Sequence, residues 1–204
     1  MKNTGWIILA MALLSGLAPS CRSYMHFRYG MAQPRPETPA TLTAFLSKQG
    51  FPATGQHVFR DSAAWLGAFR DTVFRKYLLS HMIFSRDGTL LQRDTARCQW
   101  AGYEKIRTLK PDSAYLLSND LNLGKVLSLI QPSGQNTAPD IAALEPDFTV
   151  VVTWAKFIGK YNSRLFALDE AVGLNRTAVI RLIWLNIDMQ ADWKIPESMK
   201  ISIQ

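Results

Sequence analysis

Cysteine is almost missing from this chain: its 204 residues include only Cys21 and Cys98, which excludes a Cys-x-x-Cys dithiol. Histidine is nearly as scarce. His26, His57 and His81 lack the close spacing with which a helix presents two zinc ligands, and strand alternation would aim His81 at one face. No metal or other cofactor is therefore expected. There is no Gly-x-Ser-x-Gly, no phosphate loop and no Gly-rich dinucleotide turn, so the most readable hydrolase and nucleotide-binding classes drop out. Lysine and arginine are scattered singly, with no run and no aromatic interleaving, which argues against a nucleic-acid partner. The apolar run Trp6–Leu17 covers twelve residues, too few for a bilayer core that needs roughly 20. There is no internal repeat and no low-complexity tract.

What is present describes a packed, exported domain. Hydrophobic residues make up 48% and charged residues only 19%, a composition that buries a core rather than staying unfolded. Net charge is +7, of which the first 21 residues contribute only Lys2, an excess that favours acidic partners such as anionic headgroups. Lys2, the run Trp6–Leu17 and the small residues Ala18-Pro19-Ser20 before Cys21 have the order of a secretory signal. Ending on cysteine, this leader resembles that of bacterial lipoproteins. Their lipobox places leucine at or near three residues before the modified Cys, whereas here Leu17 lies four before and Ala18 stands in the usual place.

The resemblance implies that residues 1–21 form a signal peptide, that Cys21 carries lipid, and that the membrane is a partner through that lipid. Arg22 and Ser23, in place of acidic residues, imply by the same sorting rules an outer-membrane anchor facing the periplasm. Cys98 would then have no intrachain disulfide partner. An unmodified Cys21 would leave a Cys21–Cys98 bridge open instead.

Residues 22–40 contain Pro34, Pro36 and Pro39 without apolar periodicity and read as a flexible tether. Tyr24, Met25, His26, Phe27 and Tyr29 within it could rest on the membrane interface or pack on the domain. Residues 41–204 read as a single α/β domain. Thr41–Gln49 predicts a short helix, and Asp61 or Ser62 caps a longer one running to about Lys76. Tyr77–Ser85 and Thr89–Arg93, joined at Asp87-Gly88, predict a β-hairpin. Residues 94–111 read as irregular, Asp120–Ile130 as a helix, and 131–147 as a loop. Phe148–Trp154, Lys160–Val172 and Ala178–Asp188 form a buried strand, a helix and a second buried strand, a βαβ unit with parallel strands. Met199–Ile203 suggests an edge strand.

The turn after the first of these strands reads Trp154-Ala155-Lys156-Phe157-Ile158-Gly159-Lys160-Tyr161. It resembles the strand–turn–helix of the thioredoxin-like superfamily, Trp-Ala-x-Trp-Cys-Gly-x-Cys. Trp154, Ala155 and Gly159 match, Phe157 is an aromatic replacement, and Asn186-Ile187-Asp188 closes the next strand on an acidic residue as the family does. The likeness spans residues 147–192. It implies a three-layer sandwich with a central mixed sheet, permuted so that the hairpin precedes the βαβ unit. Only sixteen residues follow Asp188, too few for the family's usual terminal hairpin and helix. Ile158 and Tyr161 occupy the two cysteine positions, so the nucleophilic thiolate and its resolving thiol are both replaced. An unrelated α/β sandwich with a chance Trp-Ala-x-aromatic turn is the competing fold.

Three functions fit these residues. The first is a non-catalytic thioredoxin-like domain that binds or scaffolds an envelope protein. The second is enzymatic: a single-thiol redox protein using Cys98, whose neighbour Arg97 favours a thiolate, or a hydrolase with an unrecognised site. The third is a ligand-binding lipoprotein. Trp65, Trp154, Trp184 and Trp193 are expected in core or rim packing, and the pairs Asp169-Glu170 and Asp188-Asp192 on solvated faces.

Overall fold

The computed structural model describes residues 28–51, 55–92, 101–133 and 145–193. Its strands are β1 (Gln56–Phe59), β2 (His81–Ser85), β3 (Thr89–Leu91), β4 (Leu117–Asn122), β5 (Ile130–Pro132), β6 (Phe148–Trp154) and β7 (Ile180–Asn186). The helices between them are α1 (Pro39–Lys48), α2 (Ser62–Arg70), α3 (Thr72–Arg75), α4 (Ala101–Arg107), α5 (Leu123–Leu129) and α6 (Asn162–Leu174). A 3-10 turn, Lys156–Tyr161, precedes α6. The strands form one mixed, open sheet in the order β4-β3-β2-β6-β7-β1-β5. Among the described residues no helix is long and apolar enough to cross a membrane.

The sheet is organised around β6, whose seven residues are all buried. Covering both faces of a strand removes the polar alternation of a half-exposed one, which explains the run of three valines. β7 lies beside it in parallel, from Phe148↔Ile180 to Trp154↔Asn186, with α6 as the crossover. β2 flanks β6 on the other side in antiparallel register, His81↔Val152 to Ser85↔Phe148. The β2–β3 turn follows from Asp87-Gly88: Gly88 has φ +82°, and the Asp87 carboxylate accepts from the Thr89 N–H (3.1 Å) and the Ser85 hydroxyl (2.6 Å). The hairpin and the βαβ unit therefore share one sheet.

Side-chain bonds between distant segments tie the helices to this sheet. Trp65 on α2 donates its indole N–H to the Ile187 carbonyl (3.0 Å), just past β7. Asn175, after α6, donates to the Ile106 and Leu109 carbonyls at the end of α4 (2.9 and 3.0 Å). Gly102 sets α4 against the His81 ring, where a Cβ would stand 2.7 Å from Nε2. Phe59, Phe74, Phe84, Leu109 and Trp154 are fully enclosed, each such side chain contributing about 1.5–3 kcal/mol by leaving water.

Several expectations need correction. The helix placed from Asp61 to about Lys76 is two helices, because Asp71 turns extended (φ −65°, ψ 116°) and caps α3 through the Val73 and Phe74 N–H groups. Residues 117–122 are strand, so the helix expected from Asp120 begins at Leu123, where Asn122 caps it. Residues 101–107, expected to be irregular, are α4. β1 and β5 fall where no strand was expected. The suggested strand Met199–Ile203 lies outside the described residues.

Candidate functional site

β6 ends at Trp154, and the chain must turn sharply to enter α6. Ala155 remains extended, the 3-10 turn follows, and Gly159 adopts φ 56°, ψ −128°, a conformation that strongly favours glycine. Asn162, the first residue of α6, braces this bend by donating to the Ala155 and Gly159 carbonyls (2.7 and 3.1 Å). Trp154 is enclosed between Phe45, stacked at 6.0 Å, and Phe166 at 5.8 Å, with its indole N–H on Gln56 Oε1 (3.0 Å). Trp154, Ala155, Phe157, Ile158, Gly159 and Tyr161 are thus gathered at the C-terminal end of β6. Neither of the two positions that the resemblance equates with cysteines stands open to solvent. Ile158 is completely buried, and Tyr161 lies edge-on to Tyr29 (5.7 Å) with the Arg164 guanidinium over both rings.

The covering comes from residues 29–38, within the stretch read as tether. From Tyr29 onward these residues lie along the turn as a strap. The Ala32 N–H donates to the Phe157 carbonyl (2.7 Å), and a Cβ on Gly159 would stand 2.6 Å from the Gly30 carbonyl oxygen. Further on, the Glu37 N–H donates to the Met189 carbonyl and the Ala191 N–H to the Glu37 carbonyl (2.7 and 2.8 Å). The strap thus pairs in parallel with the segment beyond β7.

Beneath the strap lies a charged cluster. The Lys156 ammonium donates to Glu37 Oε2 (2.6 Å), which also accepts from the Thr41 hydroxyl (2.6 Å). The Lys156 backbone N–H donates to Asp188 Oδ2 (2.6 Å), shared with the Asn186 amide (2.7 Å). Asp188 is only 2% exposed, which corrects the expectation of a solvated face. Burial pushes its carboxyl up to about 6; the Lys156 N–H and the Asn186 amide oppose that shift, and the nearby Glu37 charge adds to it. Gln190 completes the cluster by donating to the Asp188 carbonyl (2.9 Å). Chemically, the cluster offers a buried carboxyl that can hold a proton near neutrality and a cation already engaged by a carboxylate. Ile158 and Tyr161 supply no nucleophile there.

The remaining candidates lie elsewhere. Cys21 and Cys98 are outside the described residues, as are His26 and Pro196. His57 is buried on β1 with Nδ1 3.1 Å from the Gly55 carbonyl, and burial lowers its pKa. Among the described residues no group of three or more His, Cys, Asp or Glu could hold a metal ion. A separate open cleft of about 520 Å³ lies at the opposite end of β6, lined in part by Arg86, Asp112, Tyr115 and Asp147. Glu37 and Lys156 escaped the sequence reading because their pairing joins residues 119 apart. The Asn186-Ile187-Asp188 ending was the one signal for this cluster. Comparison with protein-family models, curated proteins and solved structures finds no match.

Proposed function

We propose that this chain is an envelope lipoprotein, anchored through lipid on Cys21, whose permuted thioredoxin-like domain binds or scaffolds a partner protein without dithiol chemistry. The outer membrane, with the domain facing the periplasm, is its proposed location. The sheet order supports the fold reading: the hairpin β2–β3 lies beside the motif-bearing β6, and β7 runs parallel on the other side. One observation carries the functional reading. Where a thioredoxin needs an accessible thiolate at a helix N-terminus, this turn has a buried isoleucine and a tyrosine clamped under a strap.

The purified full chain is expected to show no disulfide reductase or isomerase turnover. Turnover that survives Cys98→Ala would overturn the reading. The double substitution Ile158→Cys, Tyr161→Cys tests the family geometry, since two thiols one helical turn apart should close a reducible disulfide. Cys21→Ser should abolish lipid labelling and release the chain from membranes. Continued membrane association without lipid would remove the anchor.

A further inference from the structure

We infer that the strapped turn is the membrane-facing surface of the domain and rests on anionic headgroups; this rests on the proposed lipid at Cys21. The first support is chain length. Only six residues lie between Cys21 and Arg28, a span of seven Cα steps, and the strap is bonded to the turn from Tyr29 onward. Fully extended, that connection spans at most about 25 Å, so the turn cannot stand far from the lipid that holds the chain. Of the tether expected over residues 22–40, the part from Tyr29 to Thr38 is thus held on the domain.

The second support is charge. Residues 28–38 and 156–164 carry Arg28, Arg35, Lys156, Lys160 and Arg164 against the single carboxylate Glu37. Glu37 is engaged by Lys156, while Arg28, Arg35, Lys160 and Arg164 are exposed. Of the carboxyls next to these segments, Asp188 is buried beneath the strap, while Asp192, beside the strap-bonded Ala191, is exposed and offsets one of the cations. Four exposed cations with no exposed carboxylate on these segments match a surface of anionic headgroups, to which each cation near the surface adds affinity. Tyr29 and Tyr161, half-buried and flanked by Arg164, have the amphipathic rings that suit the headgroup level. The opposite end of β6 lies about 20 Å away along a seven-residue strand, and the cleft there sets Asp87, Asp112 and Asp147 against Arg86, an acidic balance that does not suit such a surface.

The test uses the full lipid-bearing chain with Cys98→Ala, so that one introduced thiol takes a fluorophore. Ser163→Cys labels the turn face and Ser113→Cys the far end; both serines are exposed. The protein is reconstituted in phosphatidylethanolamine vesicles containing phosphatidylglycerol and a headgroup quencher. Strong quenching at position 163, little at 113, and loss of the difference in purely zwitterionic vesicles or at high salt are expected. The pair Arg35→Glu, Lys160→Glu should shrink the difference, since each cation removed weakens surface association about fivefold. Equal quenching at both positions, or quenching indifferent to lipid charge, would overturn the inference while leaving the anchor intact. Absence of the lipid adduct by mass would overturn the anchor itself, and the inference with it.

Discussion

The two ends of β6 each hold an aspartate that accepts a backbone N–H from a distant segment, and they treat it in opposite ways. At the C-terminal end Asp188 accepts from Lys156 under the strap, nearly sealed from water, and its carboxyl is raised to about 6. At the N-terminal end Asp147 accepts from the Val179 N–H (2.8 Å) and pairs with Arg86 beside an open cleft. The same bond is therefore almost fully desolvated at one end, while at the other it sits on the rim of a cleft with the carboxylate 12% exposed and a solvated arginine beside it. The difference teaches that the turn end is built to be closed, and the cleft end to remain wet.

Breaking the closure should have the largest effect. Gly159→Ala places a Cβ 2.6 Å from the Gly30 carbonyl oxygen at a positive φ, and should cost about 3 kcal/mol or detach the strap. The matched change at the other end, Gly88→Ala, meets its nearest atoms at 3.4 Å and should cost about 1 kcal/mol. Urea unfolding of both variants checks the ordering, and equal losses would erase the contrast.

Next in size is Asp188→Ala, which strands the Lys156 N–H and the Asn186 amide in a buried site and should cost about 2–3 kcal/mol. Asp147→Ala, at the wetter end, should cost about half as much. The Asp188 carboxyl also sets a pH dependence. Its folded pKa lies above the unfolded one, so between about pH 4 and 6 the folded chain holds a proton that the unfolded chain has released. Its contribution is full below pH 4 and is lost as pH rises through about 6, on the order of 2–3 kcal/mol. Asp71, held below its ordinary value first by the Lys125 side chain, titrates with the opposite sign: its contribution is present above pH 4 and lost in acid. The difference between wild-type and Asp188→Asn stability curves isolates the first effect, and a flat difference from pH 4 to 6 would refute it. The smallest effect belongs to Arg86→Ala, whose guanidinium is 64% exposed; it should cost less than about 1 kcal/mol and fade in salt.

Legibility followed the same division between local and distant causes. β6, α6, β7 and the Asp87-Gly88 hairpin could be read because their signals are local: long apolar runs, helical spacing and a turn pair. β4 reads Leu-Ser-Asn-Asp-Leu-Asn, an edge strand with one buried residue, so neither propensity nor alternation marks it. β1 and β5 are four and three residues long and take their shape from the neighbours they pair with. At the site, the turn residues announced themselves, but its burial did not. Asp188 looked solvated because the strap that seals it arrives from the other end of the chain.

The order of the strands along the chain has a consequence for folding during synthesis. Among the described residues, β6 and β7 lie between two flanks, β4-β3-β2 on one side and β1-β5 on the other, and are the strands that join them. They are also the last two of the described strands to be made. Until β7 has emerged, the flanks have no common sheet, and until residue 189 has emerged the strap lacks the Met189 carbonyl that Glu37 bonds. The domain therefore closes late and non-locally, which slows its folding.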